Sequence, residues 1–298
     1  MTTKELIYHY TSLNALYSIL KNKEVWLPSF FSTDDELEDG EIKKIVREIF
    51  QEKYKDYPQK IAKKEWLGGE YYVMSFTKNA DSATHFSQYG NNGQGVCIGF
   101  DPSCIREYMY SMALHEEFGT FVETREVIYS IQDLKAMIEE HIERCLAAPF
   151  DQETIKRLLF SIVISKFESM AKTPNYSTEQ EVRLLYNPKD SRFLINFYDL
   201  EYKLTINVLF HNMFKHSTEV LENLKLNRID FDCISGRIRK VCKMSLVPLM
   251  SYNPIKEIIL GPYCAQGKKE LIEFARQNGF MINFRTVKKS HIKPRDIK

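Results

Sequence analysis

The chain has no C-x-x-C pair. Its six cysteines are scattered over 298 residues, and the closest neighbours, Cys97–Cys104 and Cys233–Cys242, lie seven and nine residues apart. No zinc-ligand spacing arises, so no structural metal is expected. No apolar run approaches the roughly 18 residues that a membrane helix requires, and the first residues lack the pattern of a secretory leader. These absences predict a soluble, reduced, cytoplasmic protein with no membrane partner. Charge of one sign is missing too. A formal net charge of +1 gives no general reason to bind nucleic acid or a membrane surface, although the basic run from Arg285 to Arg295 is a local candidate.

No stretch rich in Pro, Gly or Ser divides the chain and no segment repeats, so residues 1–298 read as a single α+β domain. Neither Gly-x-x-x-x-Gly-Lys nor Gly-x-Gly-x-x-Gly occurs. Asn91-Asn92-Gly93-Gln94-Gly95 is therefore a turn by default and a phosphate contact only by exception. The acidic run at Asp34, Asp35, Glu36 and Glu38 lacks the glycine-anchored spacing of a calcium loop and reads as solvated.

What is present is a core. Hydrophobic residues make up 44% of the chain, with 19 Phe and 17 Tyr among them, enough to fold without disulfides. Ile7 to Tyr10 reads as a strand. Thr11 or Ser12 then caps a helix whose apolar positions Leu13, Leu16 and Leu20 recur at helical spacing up to Asn22. His9 thus stands among aromatics at a strand end, beside the positive end of a helix. Further strands are expected at Val25–Pro28, Tyr71–Phe76, Val96–Phe100, 120–131, Glu181–Tyr186, Phe193–Phe197, Ile238–Leu249, Ile255–Leu260 and Met281–Val287. Helices are expected at 41–65, in Ala83–Tyr89, after Asp101-Pro102, at 132–147, at 151–172 and at 266–278, the last stopped by Asn278-Gly279. Residues 132–172 read as a helical insertion, and 199–235 as a variable segment of ambiguous structure.

Glu179-Gln-Glu181-Val-Arg183 alternates at period two. As a strand it would set Glu179, Glu181 and Arg183 on one face. Two adjacent carboxylates repel unless a cation intervenes, and Arg183 is placed to do so. Such a pair suits a reaction in which positive charge grows, as in cleavage of an N-glycosidic bond. An edge strand that carries charge against aggregation has the same pattern.

The chain resembles a large bacterial family catalogued as a domain of unknown function. The resemblance rests on Tyr8 to Ser12, Phe31 to Glu38, Ser75-Phe76-Thr77, Phe86 to Tyr89, Gly95 to Phe100, Glu179 to Arg183, Ile255 to Gly261 and Ser290 to Arg295, in that order. Thr33-Asp34-Asp35 and Phe86 depart from that family's Asn-Asp-Pro and Trp. The order of strand-His, aromatic segment and strand-Glu also resembles the His-Tyr-Glu class of ADP-ribosyltransferases.

That second resemblance implies a bent, split β-sheet with helical insertions and NAD as substrate. ADP-ribose would pass to a macromolecular acceptor, protein or nucleic acid, or to water, in a toxin or phage-defence role. It maps His9 and Tyr89 onto dinucleotide binding, with Tyr10, Thr11, Phe76 and Arg183 around them and Tyr17 and Phe76 as rivals to Tyr89. Glu181 maps onto the catalytic carboxylate and Glu179 onto the group that steers the nucleophile. The alternatives are a non-catalytic nucleotide or nucleic-acid binding module and a metal-dependent nuclease using Glu38, Glu179 and Glu181.

Overall fold

The computed structural model describes residues 5–30, 44–45, 48–49, 52, 71–104, 121–146, 167, 169–187, 227–234 and 236–297. Strand β1 (Ile7–Thr11) leads into helix α1 (Leu13–Asn22), where Ser12 Oγ accepts from the Ala15 amide at 3.1 Å. Leu16, Ile19 and Leu20 form the buried stripe of α1, and Lys23 in the left-handed region ends it. Burial of each such leucine contributes about 1.5–3 kcal/mol. There follow β2 (Glu24–Pro28), β3 (Tyr72–Thr77), helix α2 (Ala83–Gln88), β4 (Val96–Phe100), β5 (Phe121–Glu126), helix α3 (Ile131–Leu146) and β6 (Glu181–Asn187). The chain continues through β7 (Asn227–Ile234), β8 (Arg237–Ser245), β9 (Ile255–Leu260), helix α4 (Lys268–Gln277) and β10 (Val287–Lys289).

Seven strands form one mixed sheet in the order β10-β9-β4-β1-β3-β6-β5, and β2-β8-β7 form a second. One face of the large sheet, with Ile7, Met74, Phe76, Ile98, Val182 and Ile258, is buried under α1, α4 and the inner residues Leu27, Cys242 and Met244 of the small sheet. The opposite face is covered in two places. Phe86 of α2 and the terminal Ile292 and Ile297 pack on Tyr10, Cys97 and Ile259, while Phe30 and Met170 pack on Val73 and Leu185.

Strand pairing is uneven across the large sheet. β1 aligns with β4 over five residues and β3 with β6 over six, but β1 and β3 share a single aligned pair, Tyr8 with Thr77. Beyond that pair His9 takes the place of a backbone partner, its Nδ1 lying 2.9 Å from the Ser75 carbonyl oxygen.

The mixed architecture agrees with the α+β expectation. Four local readings are corrected. Glu179 is not in a strand: it ends a 3-10 turn (Pro174–Glu179), and Gln180 at φ 46° breaks the alternation before β6 starts at Glu181. β8 stops at Ser245, and Val247–Tyr252, with Pro248 near its start, is a 3-10 turn rather than more strand. Of the expected terminal strand Met281–Val287 only Val287 is in a strand, β10, which runs on to Lys289; before it the Asn283 side chain caps a turn on the Arg285 amide. The ambiguous 199–235 segment contains a regular strand, β7, at Asn227–Ile234. The expected strand Phe193–Phe197, most of the helices at 41–65 and 151–172, and Glu38 fall outside the described residues.

Candidate functional site

Register decides which side chains meet. Thr77 pairs with Glu181 and Ser75 with Arg183, so all four leave the sheet on one face together with Tyr8. Phe76 pairs with Val182 on the core face. His9 is in register with the core residue Ile98 and meets the Phe76 ring edge-on at 5.9 Å, so its side chain leaves by that core face. His9 and Glu181 therefore start on opposite sides of the sheet. Ser75 lies between them: its carbonyl oxygen is 2.9 Å from His9 Nδ1, and its side chain leaves the sheet on the Glu181 face. Ser75 is the one exposed residue of β3, flanked by buried Met74 and Phe76, where the β1–β3 pairing opens.

Around Glu181 the charges are compensated. Arg183 donates Nε to Oε1 at 2.8 Å and Nη2 to Oε2 at 3.2 Å, and its Nη1 donates to the Ser169 carbonyl at 3.1 Å. Lys172 Nζ lies 2.9 Å from Glu179 Oε2 and 3.7 Å from Glu181 Oε2, over the ring of Tyr176. Two carboxylates and two cations so form a buried chain in which each glutamate has an opposite charge in contact. Burial works to raise the proton affinity of Glu181, but Arg183, Lys172 and the Ser75 hydroxyl outweigh it and hold the carboxyl below its ordinary range. Glu181 is thus a fixed, ionised group.

The Pro174–Glu179 turn is stapled to the end of β3. Thr77 Oγ1 donates to the Glu179 carbonyl at 2.6 Å, and the Lys78 amide donates to the Gln180 carbonyl at 3.2 Å. This returns Glu179 to the neighbourhood of Glu181 through Lys172, although the strand reading that predicted their proximity does not hold. Tyr89, half-exposed at 47%, donates its hydroxyl to Glu179 Oε1 at 2.8 Å.

His85 completes this face. It lies in α2, whose first turn is capped by Ser82 Oγ, and its ring lies 5.2 Å from the Tyr10 ring and 6.0 Å from that of Tyr89. Its Nδ1 is 2.8 Å from Ser82 Oγ; its buried Nε2 has no partner in hydrogen-bond geometry. Burial pushes its pKa below the usual histidine value, with the nearby Glu179 carbonyl and carboxylate pulling the other way. Tyr10 Oη donates to the Asn79 carbonyl and accepts from the Ser82 amide, both at 2.9 Å, tying β1 to the start of α2.

The fold thus brings together Tyr10, Tyr89, Glu179, Glu181 and Arg183. Phe76 sits on the other face, buried against His9 and Phe100. Thr11 lies at the far end of β1 in register with Val96, and the ring of Tyr17 is stacked on Phe274 at 5.0 Å. Lys172, Ser75, Ser82 and His85 carry the site as much as the expected residues do. Ser75 was visible in the Ser-Phe-Thr segment and Ser82-x-x-His85 has capping spacing, but no pattern in the sequence marks Lys172.

Among the described residues no group of three or more His, Cys, Asp or Glu side chains is arranged to hold a metal ion. No described helix is long and apolar enough to cross a membrane. No curated protein and no solved structure matches the chain. Residues 86–184, which run from Phe86 of α2 to Leu184 of β6 and include Tyr89, Lys172, Glu179, Glu181 and Arg183, match the model of the family described as "Protein of unknown function (DUF2971)".

Proposed function

We propose that the chain binds NAD at the opening between β1 and β3 and breaks the bond between nicotinamide and ribose, passing ADP-ribose to water or to a macromolecular acceptor. The observation that carries this reading is Ser75. It is exposed where the central strands part; its carbonyl meets His9, and its side chain shares a face with the ionised Glu181. A split sheet with an imidazole and a carboxylate at the split is the arrangement that the His-Tyr-Glu resemblance implies.

In this reading His9 and Tyr89 position the dinucleotide along the Ser75 edge. As the C1′–N bond breaks, its electron pair leaves with neutral nicotinamide, and positive charge gathers on C1′ and the ring oxygen. The Glu181 carboxylate, fixed by Arg183 before the ligand arrives, opposes that charge without having to reorganise. Glu179, hydrogen-bonded to Tyr89 and nearer the surface, steers the acceptor. The acceptor oxygen then bonds C1′ and its proton passes to solvent.

Nicotinamide release from NAD by the purified protein tests the proposal. Glu181→Gln is expected to lower the rate by about a hundredfold or more while its circular dichroism stays that of the parent. Full NAD turnover by that variant would show the wrong carboxylate had been chosen. Saturable NAD binding without turnover by the parent would favour a non-catalytic module, and magnesium-dependent cleavage of nucleic acid without NAD loss would favour a nuclease.

A further inference from the structure

The chain ends in a basic run that is pinned down. Asp81 accepts from the Ser290 hydroxyl at 2.6 Å and from the His291 amide at 2.8 Å. Ile292 and Ile297 pack against the cluster of Tyr10, Phe86, Cys97 and Ile259, and a side chain on Gly93 would run into Ile297. The tail therefore lies over the sheet face that carries Tyr10 and α2. Asp81 immediately precedes Ser82, which holds both Tyr10 Oη and the His85 ring.

The way the tail is held bears on its charges. Both Asp81 oxygens are engaged by a hydroxyl and an amide of the tail. Lys288 is in contact with Glu257 on β9, so it is already paired. Lys289, Lys293 and Arg295 stay exposed, and the 3.9 Å contact of Arg295 with Asp296 is a surface pair that holds it weakly. A tail that only solubilised the protein would need neither a carboxylate clasp nor two half-buried isoleucines. This one ties a basic segment to Asp81, next to the Ser82 that holds Tyr10 and His85, in a chain whose overall charge is nearly balanced. Next to it Asn91, Asn92 and Gly93 all have left-handed backbone, a run that L-residues adopt only at a cost. Tyr263 donates its amide to the Gly93 carbonyl and holds that turn against the same surface.

We propose that residues 289–295 form a phosphate-binding arm, in which Lys293 and Arg295 meet the pyrophosphate of a dinucleotide whose nicotinamide end lies at Ser75. This rests on the NAD reading above and adds its phosphate subsite. Guanidinium and ammonium groups suit this ligand because its two phosphates present several charged acceptor oxygens within a short span.

The test is a titration of the intact protein with ADP, inorganic pyrophosphate, NAD and nicotinamide riboside, which lacks phosphate. The exposed double variant Lys293→Ala/Arg295→Ala is expected to bind ADP and NAD about tenfold more weakly and the riboside unchanged. Its loss should shrink as salt rises. Unchanged ADP affinity in the variant overturns the arm. So does a parent protein that binds neither ADP nor pyrophosphate, or one that binds a single-stranded oligonucleotide that ADP does not displace. ADP binding that depends on Lys293 and Arg295 in a protein that consumes no NAD keeps the arm and removes the reaction. NAD consumption with an unchanged KM in the variant does the reverse.

Discussion

Arg183 grips Glu181 with two side-by-side hydrogen bonds, Nε to Oε1 at 2.8 Å and Nη2 to Oε2 at 3.2 Å, from a position two residues along the same strand. Both side chains are buried, at 5% and 7% exposure. The pair is a fixture: with a third bond to the Ser169 carbonyl, the guanidinium clamps 169–172 against β6 while it holds the carboxylate ionised.

Removal of the cation should be far more damaging than its modest net contribution suggests, because it strands a buried carboxylate. Arg183→Ala is expected to cost about 3–5 kcal/mol of stability, read as a lower urea midpoint. Glu181→Gln, which keeps an acceptor for the guanidinium, should cost distinctly less. An Arg183→Ala protein as stable as the parent would mean that the pair lies open to water in solution.

The buried ionisable groups set a direction for pH dependence. His9 and His85 are held below the ordinary histidine pKa, chiefly by burial, with the Ser75 carbonyl offsetting part of it for His9. Their unfolded forms bind a proton near pH 6.5, so the unfolded state holds more protons as pH falls below that value, and stability falls with it. Glu181 acts in the same sense lower down. Its folded pKa is depressed, so its contribution is present above an unfolded value of about 4.3 and is lost as pH falls through the folded pKa. Urea midpoints should therefore decline in two stages on acidification. In His85→Gln the slope between pH 7 and 5 should flatten while the lower stage persists. An unchanged upper slope in that variant, or a midpoint that rises on acidification, would contradict the burial of these rings.

Tyr10 Oη is both donor to Asn79 and acceptor from the Ser82 amide. Tyr10→Phe keeps the ring packing on Phe86 and leaves those two backbone groups without their partner. A loss of about 1–3 kcal/mol is expected, together with faster amide exchange at Ser82 and in the first turn of α2. If exchange there is unaffected, the hydroxyl does not tie β1 to α2.

The local rules were written in particular residues. Ser12 before Leu16 and Leu20 marked α1, the apolar runs at 96–100 and 255–260 marked β4 and β9, and Gly279 in the left-handed region closed α4 as Asn278-Gly279 suggested. Period-two alternation was legible but overextended at Glu179. It reports the spacing of side chains and is blind to a residue such as Gln180 whose backbone turns left-handed, which places Glu179 by a 3-10 turn and a Thr77 hydrogen bond. The candidate site was legible by residue type and less so by arrangement. Tyr89, Glu179, Glu181 and Arg183 were named; His85, near Tyr89 in the sequence, reads as a surface histidine but is buried, and Lys172 became visible only once distant segments met.

Chain chemistry alone settled elements such as α1, β4, β9 and α4 and which residues can carry charge, because propensity, capping and apolar period act over a few neighbours. Folding settled who faces whom. The single aligned pair between β1 and β3 exposes Ser75, the strand pleat sends His9 and Glu181 to opposite sides, and packing of 169–172 on β6 delivers Lys172 between two glutamates. Those outcomes come from strand register and long-range packing, whose energies depend on residues far apart in the chain and so leave no local mark on it.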